Sequence, residues 1–315
     1  MNTILTPRTL ATLFTLLFIC SHAAADPIHP QLPADVTMNK DAGRGNWLFV
    51  ALRLESGEEL PFFMDTGATF TGFDKFVEPK LGKSLGAAMI DHWGDKVETH
   101  VYTMPKLYSG TTPLMTGSNT VTSGFKMLSL VAGRRIKGIL GMDCLRQYCI
   151  QLDFEAGKIR FLDPDQLNTA ELGKAYPLTL EGNRVVIHHL SLTGGTNTDA
   201  LIDTGLLYDG QVEKVVVQGH FWIRLRNFLV ETVPFAEKLH RHLIAPQCDW
   251  DGETYTDLKV DVGGMANVIG LRFLARHLVT FDFPNGVMYL KKTSTGPLAN
   301  QHTKGAAVGS KRAHG

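Results

Sequence analysis

The tripeptide Asp-Thr-Gly occurs twice in the 315 residues, at Asp65–Thr66–Gly67 and at Asp203–Thr204–Gly205. Each copy closes an apolar run, Leu60–Met64 before the first and Ala200–Ile202 before the second. Two carboxylates brought face to face cannot both ionise freely. One pKa rises, and the pair holds a single proton over a useful pH range. The ionised member can take a proton from water, and the protonated member can donate to a substrate carbonyl oxygen. That is general acid–base hydrolysis without a covalent intermediate. The neighbours suit such a pair. Gly67 and Gly205 permit a sharp turn with close backbone approach. Thr66 and Thr204 carry hydroxyls able to bond across a symmetry axis and lock the two turns together.

A pair of turns needs a pair of scaffolds, and the chain repeats itself. Residues 139–162 (ILGMDCLRQYCIQLDFEAGKIRFL) align without a gap on 268–291 (VIGLRFLARHLVTFDFPNGVMYLK) at an offset of 129. Gly141/Gly270, Leu145/Leu274, Asp153/Asp282, Phe154/Phe283 and Gly157/Gly286 are identical pairs. Both copies read as an apolar strand ending in Gly, a short helical turn, a second strand and a hairpin. Asn285–Gly286 is a strong hairpin signal. Asp65 precedes Gly141 by 76 residues and Asp203 precedes Gly270 by 67. Each half therefore runs strand, Asp-Thr-Gly, variable middle, apolar–apolar–Gly, closing hairpin, which is a duplicated β unit. Asp153 and Asp282 sit at strand ends and read as turn formers.

Apolar residues make up 44% and charged residues 20% of the chain, enough for a sizeable core. Lys+Arg and Asp+Glu both number 31, so no overall basic excess points to nucleic acid or to an anionic membrane. Residues 9–19 form an apolar run too short for a stable anchor, and Ala23-x-Ala25 precedes Asp26. Residues 1–25 read as a signal peptide and the protein as exported, periplasmic or secreted, with no stable membrane anchor after cleavage. Residues 26–44 read as a leader or pro-segment, 45–165 and 174–292 as the two lobes, 166–173 as a linker and 293–315 as a disordered tail. Removing the signal leaves Cys144, Cys149 and Cys248, an odd number, so at least one is free or pairs with another chain. Within the second half, Phe235, Ala236, Leu239 and Leu243 share one helical face, so 233–243 reads as a helix.

The combination of DTGA at 65–68, GILGMDCL at 138–145, DTGL at 203–206 and NVIGLRFL at 267–274 resembles the aspartic peptidases, the pepsin and retropepsin superfamily. The local wording is most similar to bacterial retropepsin-like domains. The resemblance covers about 45–165 and 174–292. It implies an all-β, bilobal acid-peptidase fold of two pseudo-symmetric β-barrel-like lobes with a few short helices. It implies Asp65 and Asp203 as the catalytic pair, Thr66, Gly67, Thr204 and Gly205 bracing the site, and Gly141 and Gly270 ending the strands behind the catalytic loops. The implied function is an exported aspartic endopeptidase acting on peptide or unfolded protein, complete in a monomer, without cofactor. Pepsins carry Ser or Thr after the motif, whose hydroxyl bonds the catalytic carboxylate. Here Ala68 and Leu206 stand there, as Ala does in retropepsins, so the pair is expected to titrate higher than in pepsins. A catalytically inactive peptide-binding protein on the same fold is the alternative, fed by Leu206.

The resemblance also places a flap hairpin in the middle of the first lobe. Residues 90–102 fit it, with Gly94 at the turn, Trp93 beside it, and Tyr102 and Tyr108 as aromatic candidates to cover substrate. CDWDGETY at 248–255 reads as the second-lobe mate of that hairpin. Its acids fit no EF-hand spacing, because the Gly comes too early. His188–His189 and His240/His242 lack a ligand framework, so no metal site is expected.

Overall fold

The computed structural model describes residues 31–92, 95–190, 198–212, 233–235, 238–250, 253–262 and 266–293. The expected signal peptide, and all of the expected tail but Thr293, lie outside them. Strands dominate. The first half carries β1 (Val36–Thr37), β2 (Phe49–Leu54), β3 (Glu59–Met64), β4 (Gly72–Asp74), β5 (Gly86–His92), β6 (Asp95–Thr103), β7 (Leu107–Ser109), β8 (Thr112–Pro113), β9 (Asn119–Ser123), β10 (Gly138–Leu140), β11 (Cys149–Asp153) and β12 (Lys158–Leu162). The second half carries β13 (Lys174–Glu181), β14 (Arg184–Leu190), β15 (Thr198–Asp203), β16 (Gly210–Val212), β17 (Val233–Phe235), β18 (Lys238–Trp250), β19 (Glu253–Val262), β20 (Val268–Gly270), β21 (His277–Asp282) and β22 (Val287–Lys292). The α-helices are short: α1 (Glu78–Leu81), α2 (Lys126–Val131), α3 (Met142–Leu145) and α4 (Leu271–Leu274). Pro164–Gln166 and Thr169–Glu171 form single 3₁₀ turns between the halves.

The hydrogen-bonded order exposes the duplication. One half gives β5-β6-β9-β4-β10-β3-β2 and the other β17-β18-β19-β16-β20-β15-β14, strand for strand. Between them runs β1-β12-β11-β21-β22-β13, which is symmetric about its middle. There β11 and β21 pair antiparallel with Gln151 opposite Thr280, and the Gln151 amide donates to the Thr280 hydroxyl at 3.0 Å. Those two positions differ by 129, the offset of the sequence repeat. The pseudo-twofold axis therefore passes through this pair. Its surroundings are apolar: Ile150, Leu152, Val279 and Phe281 are all buried. The fold is thus all-β and bilobal.

Local sequence explains the joints. β2 alternates buried and exposed residues, as a strand with one covered face does, whereas β3 ends in the continuously buried Phe62, Phe63 and Met64. Asp153 Oδ1 accepts from Ala156 N at 2.8 Å, and Asp282 Oδ1 from Asn285 N at 3.2 Å. Both aspartates are turn formers, as their positions suggested. Cys144 and Cys149 are free and buried, and burial pushes both thiols well up, Cys149 to about 12. The side chain of Cys248 lies outside the described set.

Two readings need correction. The segment 233–243 supplies β17 and the start of β18, not a helix. β18 pairs with β19 from Arg241↔Val262 to Trp250↔Glu253, and ladder pairing outweighs an amphipathic pattern that also fits a helix. CDWDGETY joins β18 to β19, whose first-lobe counterparts are β6 and β9. The mate of the flap hairpin β5–β6 is β17–β18.

The buried His277 predicts acid sensitivity. Its Nδ1–H donates to Phe273 O at 3.0 Å, and its Nε2 faces the Tyr255 hydroxyl at 2.9 Å. Burial, with Arg276 and Lys292 nearby, lowers its pKa to about 4. A depressed histidine contributes stability that is present above the unfolded pKa and lost as pH falls toward the folded one, here from about 6.5 to about 4, worth about 3 kcal/mol. His277→Gln is expected to lose this part of the pH dependence of the urea midpoint. Parallel wild-type and variant curves across that range would refute it.

Candidate functional site

β3 and β15 deliver the two Asp-Thr-Gly turns to one point. Each strand is flanked by a parallel partner from the closing unit of its own half: β10 beside β3 and β20 beside β15. The glycines ending those partners are forced by close approach. A Cβ on Gly141 would stand 2.5 Å from the Phe70 backbone, and one on Gly270 2.2 Å from Tyr208 O. After each glycine the chain turns helical and ties back. Met142 N donates to Ala68 O at 2.9 Å, and Leu271 N to Leu206 O at 2.8 Å.

The two turns are locked reciprocally. Thr66 Oγ1 donates to Ile202 O at 2.8 Å and accepts from Thr204 N at 3.0 Å. Thr204 Oγ1 donates to Met64 O at 2.8 Å and accepts from Thr66 N at 3.0 Å. Both threonines have no exposed surface. Four buried hydrogen bonds thus run between the two lobes.

Above this grip the carboxyls of Asp65 and Asp203 are hydrogen-bonded to one another. Asp65 Oδ1 also accepts from Gly67 N at 2.8 Å and Ala68 N at 3.2 Å, and Asp203 Oδ1 from Gly205 N at 2.7 Å. Each glycine lies over the opposite acid. A Cβ on Gly67 would be 2.5 Å from Asp203 Cγ, and one on Gly205 2.8 Å from Asp65 Cγ. Both acids keep part of their surface open. Burial, then the charge of Asp203, pushes Asp65 well above the usual carboxylate range. Burial raises Asp203 too, while the hydrogen bond from Asp65 pulls it back. The two carboxyls therefore titrate as one pair, holding a single proton between them above the usual carboxylate range. No hydroxyl follows either motif: Ala68 and Leu206 are half-buried and tied by their backbones alone.

Further residues complete the site that the sequence did not announce. The buried Trp47 donates its indole N–H to Gly205 O at 2.6 Å while stacking on Phe63, so the first lobe fixes the second catalytic turn. In return Asn183, oriented by Arg146, donates to Thr69 O at 2.6 Å. The only advance signal for Trp47 was its type, since a buried indole N–H needs an acceptor. Behind each turn the halves use different chemistry at matched positions. Thr71 donates its hydroxyl to Asp143 Oδ1 at 2.7 Å, whereas the corresponding Asp209 faces Arg272 at 3.5 Å and Arg276 at 3.0 Å.

The flap candidates divide. The hairpin β5–β6 exists, paired up to His92↔Asp95, but Trp93 and Gly94 lie outside the described residues. Tyr102 is buried in the core, bonded to Glu78, and does not face a cleft. Tyr108 sits on β7 at the β2 side of the sheet, with Arg53 over its ring at 5.4 Å, away from the β5–β6 side. Strand alternation placed Tyr102 on the inner face, and the β6–β9 connection carried Tyr108 across to β2.

No family profile and no curated protein matches the sequence. Among solved structures, basic 7S globulin from soybean aligns over 88% of this chain and 98% of its own, with TM-score 0.53 and 13% identity. At that identity the likeness supports the fold alone, the two-lobed architecture of pepsin-like proteins.

Two outcomes follow from this geometry. Thr66→Val and Thr204→Val each orphan two buried backbone groups, so each is expected to cost about 2–5 kcal/mol, with Ser at either position retaining most of it. Equilibrium unfolding of both variants checks this, and a cost below about 1 kcal/mol at either position would contradict the reciprocal lock. Both acids have raised folded pKa values, so they favour folding at low pH and that contribution is lost as pH rises through the folded values. Asp65→Asn is therefore expected to raise the thermal midpoint at neutral pH. An unchanged or lower midpoint would count against a strained pair.

Proposed function

We propose that the chain is an exported, monomeric aspartic endopeptidase acting on peptides or unfolded protein held between its lobes. The observation that carries this reading is the adjacent pair Asp65–Asp203, two raised carboxyls sharing one proton and clamped by the threonine lock. Asp203 takes a proton from a water molecule, whose oxygen attacks the substrate carbonyl carbon. Asp65 donates its proton to the carbonyl oxygen. Asp203 then passes its proton to the amide nitrogen, the C–N bond breaks, and Asp65 recovers its proton. Gly67 and Gly205 let the two turns close on the opposite acids, which a side chain at either position would push apart.

A second reading keeps the fold and drops the chemistry: a peptide-binding protein that does not turn over its ligand. Leu206 favours it, because an apolar side chain stands where a hydroxyl would support the second acid. The solved relative is named as a globulin.

Wild type, Asp65→Asn and Asp203→Asn, incubated with an unfolded protein from pH 3 to pH 8, separate the two readings. Cleavage by the wild type alone is expected, with a maximum at mildly acidic to near-neutral pH, since both acids titrate upward. A maximum well below pH 4 would refute the titration argument. Pepstatin binding without cleavage by folded wild type would select the peptide-binding reading.

A further inference from the structure

Helix α2 buries one face and leaves the other bare. Leu128 and Ala132 pack inward with Trp47, Phe49, Phe63 and Phe125. Met127, Leu130 and Val131, at i, i+3 and i+4, point outward, and Leu130 is 72% exposed. Phe76, also 72% exposed, stands on the segment tied to the start of α2. Asp74, two residues before it, takes Phe125 N at 2.9 Å, and the Phe76 ring has Lys137 at 5.1 Å and Arg135 at 6.0 Å. Lys75 and Lys126 are further exposed cations on these segments, while Arg134 lies over the Phe49 ring at 4.6 Å with Asp41 at 3.9 Å.

The nearby acids are turned inward. Residues 124–138 contain none. Asp74 is buried on the backbone of Phe76 and Phe125. Glu78 receives the Thr122 hydroxyl at 2.6 Å, and Asp41 is held by Asn39 and Asn46 with Arg134 at 3.9 Å. A chain of zero formal net charge thus brings four cations, Lys75, Lys126, Arg135 and Lys137, onto the segments that carry four protruding apolar side chains.

We propose that this face docks on a lipid surface bearing anionic headgroups. Apolar side chains standing out from a convex helix suit a soft interface, which needs no preformed groove. The long stems of Lys and Arg let their charges reach headgroup phosphates while the apolar tips sink. A second copy is disfavoured, since an isologous contact sets the same cations against one another. Because α2 rests on the cluster containing Trp47, docking orients the cleft relative to the surface. The proposal does not rest on catalysis.

The test is vesicle flotation with phosphatidylcholine alone or mixed with phosphatidylglycerol. Residues 32–315, which form a compact unit, are used beside the full chain so that the apolar N-terminal run does not dominate. Binding is expected to the anionic mixture only, weakening as salt screens the charges. Leu130→Gln with Val131→Gln is expected to weaken it about tenfold. Arg135→Gln and Lys137→Gln are each expected to weaken it about fivefold. All four side chains lie on the surface, so thermal midpoints should hold, and the charge variants keep the test alive if the apolar pair misfolds. Absence of flotation, equal binding by all variants, or a vesicle-free dimer abolished by Leu130→Gln would overturn the proposal. So would binding only to a polyacidic peptide.

Discussion

The structure depends on one constraint: two like charges must be kept adjacent and partly buried. Nothing in the carboxyls themselves favours this. The threonine lock beneath them supplies the restraint, because separating the lobes would break four buried hydrogen bonds at once. The remaining architecture converts that local lock into a rigid one. The paired β11 and β21 hold the halves together at the Gln151–Thr280 axis. Trp47 and Asn183 reach across from opposite sides to pin the same two turns further along, at Gly205 and Thr69.

Symmetry at the axis does not extend to the periphery. The two halves share seven strands in the same order, yet the first inserts β7–β8 where the second makes one long hairpin. Behind the catalytic turns the first half uses a neutral hydroxyl and an acid, while the second buries an acid between two arginines. Burying an ion cluster is costly unless its geometry is good. The two halves therefore support the same turn geometry with different buried chemistry, and the second also contains His277.

Much of this was legible in the chain because it is written in short, repeated signals. The twin motifs, the glycines at 141 and 270 and the hairpins kept one register, and the offset of 129 reappeared as the symmetry axis. What was not legible is nonlocal. Trp47 reaches its acceptor across 158 residues. The pattern at 233–243 fits a helix face, and only the presence of β19 beside it decides for a strand. Tyr102 looked available as an aromatic, but its place on the inner face of β6 depends on β9 and Glu78. Overall charge balance concealed the cations around α2, because an average over the chain cannot report a local surplus.

Edge strand β1 sets a limit on how the chain can be trimmed during maturation. Val36 and Thr37 pair with β12 as β13 pairs with β22, and Asn39 binds Trp47 O and Phe49 N. A cut after residue 44, where a pro-segment would end, removes the strand and the mount of Trp47 together. The brace on Gly205 would then rest on an unanchored indole. A chain that keeps Trp47 mounted on Asn39 therefore keeps residues 36–42.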